Sequence, residues 1–396
     1  MKVFSIREPY PAGDDSRRSD RALEMHRFLF RAGLSAANLF AWIFVFQYFY
    51  VVSVDIAHAF ARVALLYALC HLVVTLATPL SVGFLRYGAR RGLAEAALLA
   101  AGAFVVLGAT LEGFWGGAYA AYGMLAFAII LGFYRAFYWM PYEAEAHRST
   151  SGGGVWREVA IALVPFFAGL FLVSDPMAPV WLLFVAASLI ALSVLPLHGV
   201  RDVHERLPWS YRETFAEFAA PEHRDLVRRS IFEGAYGAAL LFLWPIAVFL
   251  IVGWSYGMLG IILSITFLIG ILGRGVVRKT IRRLDLHNSK VLGILLVISP
   301  WVLRLSVATP LGVILVDSYF YTTTPKRLGM DPVIFDQTGD AGYFLDEYTA
   351  IKEMGLALGR IAMCAFAATL ALSFALPVAL FGAFALAALL SIWSAR

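Results

Sequence analysis

The chain has 396 residues, of which 61% are hydrophobic and 15% charged, with a mean hydropathy of +0.76 and a formal net charge of +5. A soluble domain cannot cover so much apolar surface, so the composition defines an all-α integral membrane protein. No basic and aromatic surface module accompanies the positive charge, which excludes a nucleic-acid binder, and Cys70 and Cys364, both inside apolar runs, exclude a disulfide framework.

Residues 1–29 carry Arg17, Arg18, Arg21 and Arg27 without an apolar core of their own, and read as a cytosolic tail rather than a cleaved signal. Windows of about 19 residues then predict twelve transmembrane spans, near 30–51, 57–84, 93–111, 116–140, 158–174, 177–198, 232–252, 256–276, 290–309, 310–325, 350–372 and 375–394. The tenth is the shortest and enters at Pro310 after almost no loop. Four of the 32 Lys and Arg residues lie well inside predicted spans, Arg62, Arg135, Arg304 and Arg360, and all the others fall on the tail, on alternate loops and on the span ends that border them. The positive-inside rule therefore puts both termini in the cytosol, with the protein in the cell (inner) membrane.

In span 4, Ile130 to Pro141 places Arg135 among aromatic and aliphatic neighbours that include Tyr134 and Tyr138. Arg135 lies roughly 9 Å from the inner end of its span, so attraction of a solute and snorkelling to the interface are both open. The matching stretch Ile314 to Pro325 carries Asp317, Tyr319 and Tyr321. Spans 9 and 10 run antiparallel across the Thr309-Pro310 turn, which brings Arg304 and Asp317 to nearly the same depth. A permanent pair would make the aspartate structural, whereas competition by solute or proton would make it a proton carrier. His71, near the middle of span 2, reads as a hydrogen-bonded spacer or a proton group, and Arg360 as a complement to Glu353 or a gate.

The two halves of the chain align. Ala36 to Trp42 matches Ala238 to Trp244, and Arg157 to Leu163 matches Lys352 to Leu358, in addition to the span 4 and span 10 stretches. This order predicts a duplicated six-helix unit, with bundles at 30–198 and 232–396. Between them, the linker 199–231 contains Ser210 followed three residues later by Glu213, a capping-box pattern that predicts a short helix on the inner membrane face. His223-Arg224-Asp225 and Gly152-Gly153-Gly154 lack the surroundings of a kinase loop or a phosphate cradle.

The run Ser81-Val-Gly-Phe-Leu-Arg86-Tyr-Gly88-Ala-Arg90-Arg91 sits between spans 2 and 3. With twelve spans, cytosolic ends and a polar central loop, it resembles the major facilitator superfamily. Arg86 and Gly88 keep that family's loop motif, while Ser81 and Leu85 replace its first glycine and its aspartate. The resemblance implies that spans 1, 4, 7 and 10 line a central cavity. Arg135, Tyr134, Tyr138, Asn38, Tyr319 and Tyr321 would then bind solute, and Asp317 with Arg304 would couple it to protons. Arg86 and Arg90 would gate the inner mouth, together with Arg31 and Glu233, which occupy matching span starts and are expected to pair between bundles.

The expected function is a monomeric secondary transporter that moves a small anionic or zwitterionic organic solute by alternating access, driven by a proton or other coupling ion. The alternative is a non-transporting membrane sensor or scaffold that binds partners through 201–230 and 326–350. No cluster of catalytic or metal-binding spacing occurs, so neither an enzyme nor a cofactor or metal is expected.

Overall fold

The structure, a computed structural model, describes residues 14–114, 116–146, 155–202, 204, 209–283, 290–323 and 346–394. Every regular element among them is helical, as a chain surrounded by hydrocarbon requires: its amides and carbonyls find no water there and must pair within the helix. In chain order these are α1 (Asp14–Ser53), α2 (Ile56–Phe84), α3 (Ala89–Glu112), α4 (Ala120–Ala146), α5 (Val155–Ser174) and α6 (Ala178–Leu192, with a short continuation Val194–Leu197). The linker helix α7 (Tyr211–Ala219) follows. Then come α8 (Arg224–Ala238, a π turn Ala239–Leu243 and Trp244–Ile251), α9 (Tyr256–Arg283), α10 (Lys290–Arg304), α11 (Pro310–Thr323), α12 (Asp346–Ser373) and α13 (Leu376–Ser394).

Ten of the described helices are long and apolar enough to cross a bilayer, and the chain is a multi-pass membrane protein. The predicted ninth and tenth spans hold the shorter helices α10 and α11, of 15 and 14 residues, against the roughly 20 of a full crossing. Large apolar side chains point outward in continuous stripes, such as Leu65, Leu72, Leu76 and Leu80 along α2, a pattern that water would penalise and lipid accepts.

Two helix starts differ from the sequence expectation. α1 begins at Asp14, well before residue 30, because Ser19, Leu23, His26, Phe30 and Leu34 recur every three or four residues and are all buried along one face. α8 begins at Arg224, inside the expected linker, and runs on unbroken into the seventh span. Elsewhere, ends follow local chemistry. Asp55 caps α2 by accepting from the amides of Ala57 (2.8 Å) and His58 (3.2 Å), and its bonds to the His58 ring and to these amides hold its carboxyl below the usual range. Ser210 and Glu213 form the anticipated capping box at α7. That helix docks against α2 and α12, with the Tyr211 hydroxyl donating to the Leu76 carbonyl.

Helices α1–α6 pack chiefly on one another, as do α8–α13. Two seams join the groups, α2 against α12 and α5 against α9. In the second seam Gly169 and Gly260 face each other, and a Cβ on Gly169 would sit 2.7 Å from the Tyr256 carbonyl oxygen. Only glycines let these backbones come so close. At the end of the molecule opposite the linker the groups meet through rings: Trp254 stacks on Phe46 at 5.5 Å, and the Tyr256 hydroxyl donates to Gln47 Oε1. Trp254 has φ of 65°, in the left-handed region, immediately after Gly253. Such a backbone costs about 1–3 kcal/mol for a non-glycine residue, and the aromatic packing around Trp254 offsets it.

Candidate functional site

Arg135 projects from α4 toward α2, where Tyr67 and His71 lie one turn apart on the same face. Its guanidinium stands 5.7 Å from the Tyr67 ring centre, and Nη1 donates to His71 Nε2 over 3.4 Å. Arginine can only donate, so Nε2 is the unprotonated nitrogen of a neutral imidazole and the proton sits on Nδ1. Phe242 of α8 stacks on Tyr67 at 4.4 Å, and Trp42 of α1 meets Tyr67 edge-on at 5.0 Å. Arg360, also buried, lies on α12, the helix that packs along α2. Four helices drawn from both groups, α1, α2, α4 and α8, therefore converge here. Two buried donors in the cluster, Trp42 Nε1 and His71 Nδ1, have no hydrogen-bond partner among the described residues.

A second polar cluster lies inside the α8–α13 group. Asp317 Oδ1 accepts from Arg304 Nη2 (2.7 Å) and Nε (3.3 Å), and Oδ2 accepts from Trp244 Nε1 (2.8 Å). Rings of Trp301, Phe320 and Trp244 surround the guanidinium at 4.8, 4.8 and 5.2 Å. Arg304 and Asp317 are only 2% and 3% exposed, and the pair holds through matched charges and the bonds at Nη2 and Nε, although Arg304 Nη1 is buried without a hydrogen-bond partner among the described residues. Trp244 reaches the aspartate from just beyond the π turn of α8, where Pro245 has no amide to continue the regular ladder.

Arg135 and Asp317 thus occupy separate clusters rather than one chamber. What joins the clusters is α8, which gives Phe242 to the first and, two residues on, Trp244 to the second. Tyr134 and Tyr138 contact α1 rather than His71: Tyr138 stacks on Phe30 at 4.3 Å, and its hydroxyl bonds Nε2 of His26, whose Nδ1 donates to the Ser193 carbonyl. Asn38 is half-buried on α1. Tyr319 shares a hydrogen bond with Ser299, while Tyr321 packs its ring on Phe267 and its carbonyl accepts from Arg274.

Arg31 makes a bidentate pair with Glu158 of α5, at 2.7 and 2.8 Å, so its close carboxylate comes from within its own group, and Glu233 is half-buried on α8. Arg86 is exposed and bonds the Tyr87 hydroxyl at 2.7 Å. The Arg90 amide donates to Asp202 Oδ1 at 3.0 Å, and the same carboxylate fills the space beside Gly88 (φ 111°), where a Cβ would lie 2.5 Å from it. An aspartate from the chain after α6 thus occupies the loop in which Leu85 replaces the motif's own acid. Residues 152–154 and 326–345 lie outside the described residues.

Among the site-forming residues, the sequence reading had ranked His71 and Arg360 low and had not selected Trp42, Tyr67, Phe242 or Trp244. Depth along the helices would have linked three of them. His71, Arg135 and Arg360 stand 13, 11 and 14 residues from the linker-side ends of α2, α4 and α12, taken as Phe84, Ala146 and Asp346.

No protein-family model and no curated protein matches the sequence. Solved structures do resemble it along almost its whole length. A POT family transporter in complex with 5-aminolevulinic acid has a TM-score of 0.64 at 11% identity, covering 94% of each chain. The nucleoside transporter NupG reaches 0.60 at 15% identity, covering 95% of this chain and 98% of its own. The human organic anion transporter MFSD10 reaches 0.59 at 14% identity, covering 96% and 99%. The fold is that of the major facilitator superfamily.

Proposed function

We propose that the chain is a secondary transporter that carries a small anionic or zwitterionic organic solute by alternating access around the Arg135 cluster. The observation that carries this reading is a cationic, donor-rich cluster buried where four helices from both groups meet. Such a group in hydrocarbon marks a solute path by default. The structural relatives include nucleoside, peptide and organic anion transporters, a homologue of an iron transporter and a fucose:proton symporter, so transport in general is what they share.

In this reading the moving bodies are two six-helix bundles, 30–198 and 232–396, and α10 and α11 complete twelve spans. Support comes from the seams. If α1–α6 are laid in order on α8–α13, α2 falls on α9 and α5 on α12, so each seam maps onto the other. The Lys and Arg distribution supports a cytosolic linker end and cytosolic termini in a cell-membrane protein, which this reading takes to act as a monomer.

Proton coupling is assigned to Asp317. A proton on its carboxyl would weaken the bonds to Arg304 and Trp244 together, and Trp244 sits two residues from the Phe242 that touches the solute cluster. Uptake by proteoliposomes of the purified protein, with and without an inward proton gradient, tests the reading. Gradient-stimulated, saturable uptake is expected, and uptake insensitive to Arg135→Gln would overturn the site.

A further inference from the structure

The reading above places a proton at Asp317, away from the solute; the contact between Arg135 and His71 places one beside it. Resting on the Arg135 site, we infer that His71 is a second proton site, filled only together with a solute carboxylate, so that proton and carboxylate bind as one unit.

One lone pair carries the inference. Arg135 Nη1 donates to His71 Nε2, and because Nδ1 of this neutral ring already holds its hydrogen, Nε2 is where a further proton adds. The proton and the arginine thus compete for the same electron pair. At 3.4 Å their present bond is at the long end of its range and gives way at little cost. Once the proton is on, Nε2–H faces the guanidinium that had donated to it, donor against donor and charge against charge, on a ring that is fully buried. A low-dielectric interior penalises that state heavily. A carboxylate removes the conflict: one oxygen accepts from Nε2–H, the other from the guanidinium, and both bonds are charge-assisted. The empty site therefore excludes the proton, and the occupied site retains it.

The surroundings fit this exchange. Tyr67 meets His71 edge-on at 4.7 Å and has the Arg135 guanidinium 5.7 Å from its ring centre, so one aromatic ring steadies both partners. The indole N–H of Trp42, beside the same ring, is buried and has no hydrogen-bond partner among the described residues, which makes it a further donor for the carboxylate. Among the helices packed on α2, α1 has no ionisable side chain between Arg31 and Tyr48, α13 has none, and α7 reaches α2 through Tyr211 at Leu76. At the level of His71, α4 brings Arg135, α12 brings Arg360 and Cys364, and α2 itself adds Tyr67 and Cys70. Glu353 lies roughly two turns nearer the linker end than Arg360. None of the groups at this level is a carboxylate, so the solute is the source of the negative charge that a protonated ring needs. By linkage each ligand then raises affinity for the other, and one proton travels with each carboxylate.

The test uses the purified full-length protein in detergent, with butyrate and succinate as probes. Calorimetric titration in two buffers of different ionisation enthalpy is expected to show proton uptake when butyrate binds near neutral pH. Its Kd is expected to fall by up to about tenfold per pH unit as pH drops towards about 6, a range in which butyrate itself stays ionised. His71→Gln keeps an acceptor for Arg135 but offers no site for a proton; it is expected to bind butyrate more weakly, with no proton uptake and a flat pH profile. Should this variant fail to fold, ring-nitrogen NMR of the histidine-labelled parent decides: one of the eight histidines is expected to turn from neutral to imidazolium on addition of butyrate. If a probe binds and Arg135→Gln abolishes its binding, yet no proton is taken up or His71→Gln takes it up as the parent does, the second proton site falls and the transporter reading stands. If neither probe binds, both fall.

Discussion

Asp317 and Arg304 are held so completely that either side chain becomes a liability without the other. Removing one partner of a buried ion pair strands a charge and costs about 3–5 kcal/mol, so Arg304→Leu is expected to lower Tm sharply in detergent. Asp317→Asn keeps an acceptor for Trp244 but strands the Arg304 charge, and is likewise expected to lower Tm; an unchanged Tm in either variant would contradict the geometry. Gly88 makes a different demand, because its φ of 111° and the Asp202 carboxylate beside it both exclude a Cβ. Gly88→Ala is expected to destabilise the α2–α3 turn by more than about 1 kcal/mol, read as a lower Tm. Much of this was legible from residue type. A charge inside an apolar run stands out, and Arg135, Asp317 and Arg304 were found that way. Glu158 was not selected as the partner of Arg31, because the two lie on different helices and no spacing along the chain links them.

The hydropathy windows located the apolar interiors of the helices and missed their polar extensions. α1 from Asp14 to Leu29 is too polar for such a window, yet its buried stripe carries His26, bonded to Ser193 and Tyr138. His26→Ala is expected to cost about 1–3 kcal/mol, the penalty for leaving buried partners unmatched, and a neutral result would mean that this extension is dispensable. The π turn of α8 was invisible for another reason: Pro245 announces an interruption, but not that it is absorbed without a break. Because Trp244 links this turn to Asp317, Trp244→Phe is expected to reduce the response of uptake to a proton gradient while leaving the Arg135 cluster in place. Full gradient dependence in that variant would remove α8 from the coupling path.

Across the whole molecule, the duplication proposed from three short matches would exchange the two seams with each other. Neither seam was itself legible, since glycines such as Gly169 and Gly260 are too common in membrane helices to mark one contact. The end opposite the linker is held by Trp254, Tyr256, Phe46 and Gln47. A transporter must part these residues in every cycle. A disulfide formed between Gln47→Cys and Tyr256→Cys is accordingly expected to stop uptake reversibly, with activity returning on reduction. Continued uptake with that end locked would contradict alternating access.

The central claim is that a buried cationic cluster at the meeting of two helix groups carries the solute. Its most direct test is the initial rate of succinate and butyrate uptake into proteoliposomes under an inward proton gradient, for the parent protein and for Arg135→Gln at equal incorporation and equal Tm. The account predicts saturable uptake that falls at least tenfold in the variant. Uptake undiminished in Arg135→Gln would contradict it.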